Sequence, residues 1–218
     1  MTDQAGSTTF PVSHQFSISY SPFEDRLVLR AQMAGSDSDL HMLLTRRMVM
    51  IVVRQLLDRL PALTGLDKTP GVYWQEVLRM GHQHAMQAKA DTDRKVAEQK
   101  KISEPSGNGA EDKVASNAGG QTVRENLFLA TELTAQLRGE KNQQQLLLAF
   151  KGLPMPDAMT KPRQHVPIFA ISLQADNVHQ LLELISAKCD EAHWHLPLDL
   201  PWLADNAEAD LDGVRRDN

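Results

Sequence analysis

Residues 15–20 place Phe16, Ile18 and Tyr20 on one side and Ser17 and Ser19 on the other. That period of two predicts a β-strand. Ser21-Pro22-Phe23-Glu24-Asp25 has turn composition, with proline where a turn favours it. Residues 26–32 (RLVLRAQ) predict a second strand, Gly35 to Asp39 a second turn, and residues 40–44 (LHMLL) a third strand. At Thr45, a hydroxyl placed to cap a helix, the period changes. Met48, Val49, Val52, Val53, Leu56, Leu57 and Leu60 then share one helical arc, with Arg47, Arg54 and Asp58 opposite. The β-branched run within Met48–Val53 also suits a strand, but the sustained arc favours a helix from about Arg46 to Leu60. Pro61 and Gly65 are expected to end it.

Pro70-Gly71 opens a second helical stretch, in which Trp74, Val77, Leu78, Gly81, Ala85 and Ala88 keep helical spacing. It runs to about Lys100, although residues 91–101 have almost no apolar stripe. Residues 102–121 hold four glycines and one proline in a polar background and read as a disordered linker. Residues 123–137 fit helix or strand, and an extended segment ending at Leu133–Leu137 is preferred. A turn at Gly139–Asn142, a strand at 144–150, a proline-rich loop at 151–164 and a strand at 165–173 follow. Asp176 is placed to cap a helix from Asn177 to about His193, with Val178, Leu181, Leu182, Leu184, Ile185 and Cys189 on its apolar face. Residues 196–202 read as a short extended piece.

The two halves repeat. RLVLRA (26–31) lies over QLLLAF (145–150) at an offset of 119, which puts Phe16, Ile18 and Tyr20 on Ala135, Leu137 and Gly139. At an offset of 129, Leu44 falls on Leu173, Val49 on Val178 and Leu56 on Ile185. The loop 151–164 absorbs the difference, since insertions there are tolerated. The expected fold class is α+β: two pseudo-repeated β-β-β-α units with antiparallel sheets, an extra central helix and a disordered linker. The expected boundaries are 14–101 for the first unit and central helix, 102–121 for the linker, 122–203 for the second unit and 204–218 for a disordered acidic tail. One helix covers only one face of a three-stranded sheet, so the other face or an edge needs a partner. The halves can supply it to each other, or a second chain can.

Hydrophobic content is 41% and aromatic content 5%, so Leu, Val, Met and Ala must fill the core. The net charge of −5 runs against duplex binding, where Lys and Arg replace counterions. The chain has one cysteine, Cys189, which rules out an intramolecular disulfide and suits a reducing cytoplasm. The N-terminus, Met-Thr-Asp-Gln-Ala-Gly-Ser, lacks a basic and apolar leader pattern. Met48–Val53, six residues, falls well short of a membrane span. A cytoplasmic location without membrane contact is expected.

The chain contains no glycine-rich phosphate loop, nucleophile elbow, Cys-x-x-Cys or His-Glu-x-x-His. His82 and His84 sit on roughly opposite sides of a helix. His193 and His195, with Cys189 nearby, fall short of a zinc ligand set and read as a helix end facing the dipole. Cys189 reads as a buried, inert thiol. Neither a metal nor a cofactor is expected. The locally basic first helix makes Arg46, Arg47 and Arg54 candidate partner-binding residues, together with Trp74 as an interface aromatic. The preferred expectation is a non-enzymatic protein–protein interaction module (adaptor, assembly factor or regulator) acting through sheet edges and helix faces. Its partner is another protein or a second copy in a homo-oligomer. The alternatives are a single-stranded nucleic-acid binder stacking bases on Phe16, Tyr20, Phe23 and Phe150, which the net charge disfavours, and an enzyme with an unfamiliar site.

Overall fold

A computed structural model describes residues 10–13, 15–33, 39–66, 73–103, 126–139, 143–197 and 200. Alternating and continuous apolar runs form β1 (Val12–Ser13), β2 (Gln15–Ser21), β3 (Arg26–Gln32) and β4 (Leu40–Leu44). Two helices follow, α1 (Arg46–Leu63) and α2 (Trp74–Ser103). The second half contributes β5 (Leu127–Arg138), β6 (Gln145–Pro154), a short 3-10 turn (Asp157–Met159), β7 (Val166–Leu173) and α3 (Ala175–Glu191). The chain is mixed α+β, and no helix among the described residues is long and apolar enough to cross a membrane.

Among the described residues all seven strands belong to one sheet, in the order β1-β7-β6-β5-β4-β3-β2. The expected antiparallel-only sheets are therefore corrected. The hairpins β2–β3, β3–β4, β5–β6 and β6–β7 are antiparallel, but β4 pairs with β5, and β1 with β7, in parallel. A parallel neighbour requires a long crossover, which the chain between Leu44 and Leu127 provides. At the two parallel joints His41 N–H donates to the Asn126 carbonyl and Ala170 N–H to the Pro11 carbonyl, both at 2.8 Å.

β1 and β2 are nearly contiguous in sequence yet lie at opposite edges of the sheet. The sheet therefore curls until its edges almost meet, giving a nearly closed barrel. At the crossing, Ser13 is buried and its hydroxyl lies 2.9 Å from the carbonyl oxygens of both Gln15 and Gln32.

One continuous core fills the molecule. Leu27, Leu29 and Met42 from the first half and Leu148, Phe150 and Phe169 from the second join Val49, Leu56, Leu182 and Ile185 of the helices. α1 packs over β5 and α3 over β2, while α1 and α3 touch each other. Each helix thus covers the opening strand of the other half, so the halves supply each other's missing cover.

Several local boundaries differ from the sequence pattern. Pro61 lies inside α1, not beyond it. It removes only one hydrogen bond near the helix end, and the helix stops at Thr64, whose hydroxyl donates to the Leu60 carbonyl at 2.9 Å. α3 begins directly after Gln174, and Asp176 sits in its first turn rather than at the cap. There its charge suits the helix dipole. α3 ends at Glu191 rather than His193. β6 continues to Pro154, into the stretch expected as loop, because its prolines fall only at the strand's end. α2 includes residues 102 and 103, so a linker cannot begin there. The remainder of 102–121 and the tail 204–218 lie outside the described residues, as does most of the expected terminal piece at 198–202. Residues 194–197 are not strand.

The hairpin registers do not keep the expected offset of 119 at the strands that open the two hairpins. Ser21 faces Arg26, whereas Arg138 faces Gln145. The second hairpin loop is two residues longer, so Phe16, Ile18 and Tyr20 correspond to Leu133, Ala135 and Leu137, which pack against the core. Thr45 and Gln174 each precede a helix directly.

The β5–β6 pairing is irregular between Ala130 and Glu132, and the β6–β7 pairing between Phe150 and Lys151. Gly152 lies beside both irregularities. A Cβ there would collide with the Leu129 carbonyl oxygen and lie 2.8 Å from Ile168 Cδ1. Gly152→Ala is expected to destabilise the protein by about 1–3 kcal/mol through overpacking. Urea unfolding followed by far-UV circular dichroism checks this, and an unchanged midpoint would refute the close approach.

Candidate interaction site

The turn between β2 and β3 carries Phe23, which is 99% exposed. The turn closes on Asp25, whose φ of +49° lies in the left-handed region. Asp tolerates that region better than most residues because its short side chain bonds locally. The Asp25 carboxylate accepts three hydrogen bonds. Tyr20 Oη donates to Oδ1 at 3.1 Å, Trp194 Nε1 donates to Oδ1 at 2.7 Å, and Arg46 Nη2 donates to Oδ2 at 2.7 Å. The Arg46 guanidinium also lies 5.2 Å from the Trp194 ring centroid, and the Tyr20 and Trp194 rings meet edge-on at 6.2 Å. These arrangements suit cation–π and aromatic pairing.

The Trp194 hydrogen bond is the largest influence holding the Asp25 carboxyl below the usual carboxylate range, with Arg46 and Tyr20 adding to it against partial desolvation. Tyr20 is shifted upward, first by desolvation and then by the neighbouring Asp25 carboxylate.

Trp194 reaches this position through the end of α3. His193 N–H donates to the Asp190 carbonyl and Trp194 N–H to the Cys189 carbonyl, each at 3.0 Å. His193 has a φ of +53°. This is a Schellman closure, in which the residue after the left-handed position turns its side chain back onto the helix. Trp194 is accordingly buried. The segment His193-Trp194-His195 is a helix stop that aims an indole. The two imidazoles stack at 6.4 Å and are exposed. Among the described residues, no group of three His, Cys, Asp or Glu side chains converges as metal ligands would.

Of the sequence-derived candidates, Arg46 and Tyr20 come together on Asp25, and Phe23 projects from the turn they brace. Arg47 and Arg54 lie on the exposed face of α1, with Arg54 Nε 3.9 Å from Asp58. Trp74 is half-buried against the core at the start of α2. Phe16 and Tyr20 also pack against the core, and Phe150 is fully buried. Phe23 alone of the four aromatics is presented to solvent. Cys189 is buried, and burial pushes its thiol up to about 11, with Asp190 adding to the shift. Asp25 and Trp194 were not singled out by the sequence. An Asp ending a proline-containing turn and an indole just after a helix were the available signals, but nothing local links them.

A second polar cluster lies between α2 and α3. His179 is 1% exposed, and a Cβ on Gly81 would sit 3.2 Å from its Nε2. The His82 ring lies 5.6 Å away, with its Nε2 3.7 Å from Glu183. Gln180 Nε2 donates to the Ala85 carbonyl at 3.3 Å. His82 thus faces α3, while His84 is exposed. Burial lowers the His179 pKa to about 4, with His82 adding to the shift and Asp176 opposing it. Burial also lowers His82, against Glu183.

Two outcomes are expected. Trp194→Phe keeps an aromatic side chain but removes the indole donor to a charged acceptor and some buried volume, and lowers stability by about 1–3 kcal/mol in urea unfolding. Phe23→Ala, at a fully exposed position, stays within about 0.5 kcal/mol of wild type in the same measurement. For His179, the unfolded chain takes up a proton at higher pH than the folded chain. Its contribution is therefore fully present above pH 6.5 and is lost as pH falls towards about 4, by an amount of about 3 kcal/mol. Urea midpoints between pH 7 and 4.5 should fall less steeply for His179→Gln than for wild type. Parallel curves would refute this assignment.

Comparison with protein-family models, curated proteins and solved structures finds no match to this chain.

Proposed function

We propose that this chain is a non-enzymatic cytoplasmic interaction protein that docks another protein through the Phe23 turn. One observation carries the reading: a fully exposed phenylalanine stands on a turn whose base is tied down by three hydrogen bonds to Asp25. Aromatic anchors dominate binding energy at many interfaces, and an anchor on a rigid base loses little conformational freedom when it binds. Arg46 lies beside the turn, half-exposed and paired with Asp25 on the same surface. The paired elements β2–β3–β4–α1 and β5–β6–β7–α3, with equivalent bonds at the two parallel joints, support descent from a duplicated unit. On that reading the duplication built a closed scaffold, and the first hairpin acquired the docking role.

The single-strand-binding alternative draws less support, because Phe16, Tyr20 and Phe150 face the core and the intervening residues Ser17 and Ser19 face outward.

A photo-crosslinking phenylalanine analogue at position 23, expressed in the native cytoplasm, tests the proposal. A discrete adduct is expected. The same analogue at Met159, which is 74% exposed, should not give it. An adduct at the mass of a homodimer would identify a second copy as the partner. Equal labelling from both positions, or none from position 23, would overturn the docking role.

A further inference from the structure

The barrel has one seam that its own strands leave open. β7 pairs with β1 only at Ala170–Val12 and Ile171–Ser13, after which the chain crosses to pair with β3. Beyond Ser13, β2 and the end of β7 flank a cleft of about 340 Å³, with α3 beneath and Lys89 of α2 at its rim. That volume lies within the range of small-molecule sites.

The cleft has an apolar floor and a polar mouth. Ile171, Leu173 and Leu181 are buried, and Phe16 and Leu184 are half-buried. Gln15, Asn177 and Lys89 are exposed at the rim. Ser172 and Gln180 are already engaged, with Gln145 and with the Ala85 carbonyl. Among the described residues no Asp or Glu lines the cleft, and Lys89 is the charged side chain of its lining. The charge of the lining is therefore positive, although the chain as a whole is acidic.

We propose that this seam binds a small amphipathic carboxylate, with its hydrocarbon part on Phe16, Ile171, Leu181 and Leu184 and its head on the Lys89 ammonium. An extended peptide fits the seam poorly. Only Ser172 and Leu173 remain on β7 beyond β1 before α3 begins at Ala175, too few to carry a strand ladder. A single ammonium on a flexible stem is a point-charge partner, which suits a monoanionic head. Gln15 and Asn177 bring amide donors to the same rim.

Isothermal titration calorimetry of the full chain with sodium decanoate, below its micelle concentration, tests this site. Saturable one-to-one binding is expected, with decyltrimethylammonium giving none. Lys89→Gln alters an exposed side chain, so the fold is retained, and it should weaken decanoate binding about tenfold or more, the loss of one charged contact. Leu184→Trp should fill the floor and abolish binding while unfolding stays cooperative. Absence of saturable binding at millimolar decanoate would overturn the proposal. Equal affinity for decanoate and decyltrimethylammonium, or decanoate affinity unaltered by Lys89→Gln, would overturn it as well.

Discussion

Val12 and Ser13 pair with β7 at one edge of the sheet, and from Gln15 onward the same stretch of chain pairs with β3 at the other edge. That closure constrains everything else. A sheet bent far enough for one segment to reach both edges needs bulges and close backbone approaches, and these occur at Ala130–Glu132, Phe150–Lys151 and Gly152. α1 and α3 complete the core, and each lies across the other half's opening strand. The core is shared between the halves.

The same geometry explains why polar interactions concentrate where elements from distant parts of the chain meet. Asp25, Arg46 and Trp194 belong to a turn, a helix start and a helix end. The Asp25 carboxylate accepts from the other two and from Tyr20, in a setting still half open to water, since its side chain is 51% exposed. The α2–α3 joint is handled differently. There a neutral imidazole is packed into the space left by a glycine, and burial keeps it uncharged. The first arrangement depends on charge being present and the second on charge being absent, so acid acts on them by separate routes.

Local pattern disclosed the elements whose periodicity is strong. The alternation at Phe16, Ile18 and Tyr20, the helical arc from Met48 to Leu60 and the apolar face from Val178 to Cys189 all specify what the structure contains. Pairing was not legible, because a parallel neighbour is chosen by long-range packing. Nothing in residues 40–44 or 127–138 names the other as partner. Proline misled at both places where it fell near an element's end, Pro61 and Pro154, because the cost of a missing N–H is small there. At the candidate site Tyr20, Phe23 and Arg46 were visible as residue types. Asp25 was visible only as part of a turn, and its partner Trp194 lies 169 positions away. His193 and His195 drew notice as possible ligands, when the informative feature was the left-handed backbone at His193.

The distance between Asp25 and Trp194 bears on how the protein is made. Synthesis runs from the N-terminus, and domains generally fold as units during it. The first hairpin leaves the ribosome well before the indole that braces it, 169 positions later, and before the β7 edge that receives Val12. Until then β2 lacks its α3 cover and the inner face of the first three strands lies open. Contacts of such long sequence separation form slowly. Between those two points of synthesis the nascent chain has apolar surface exposed, the condition in which a holding chaperone would act.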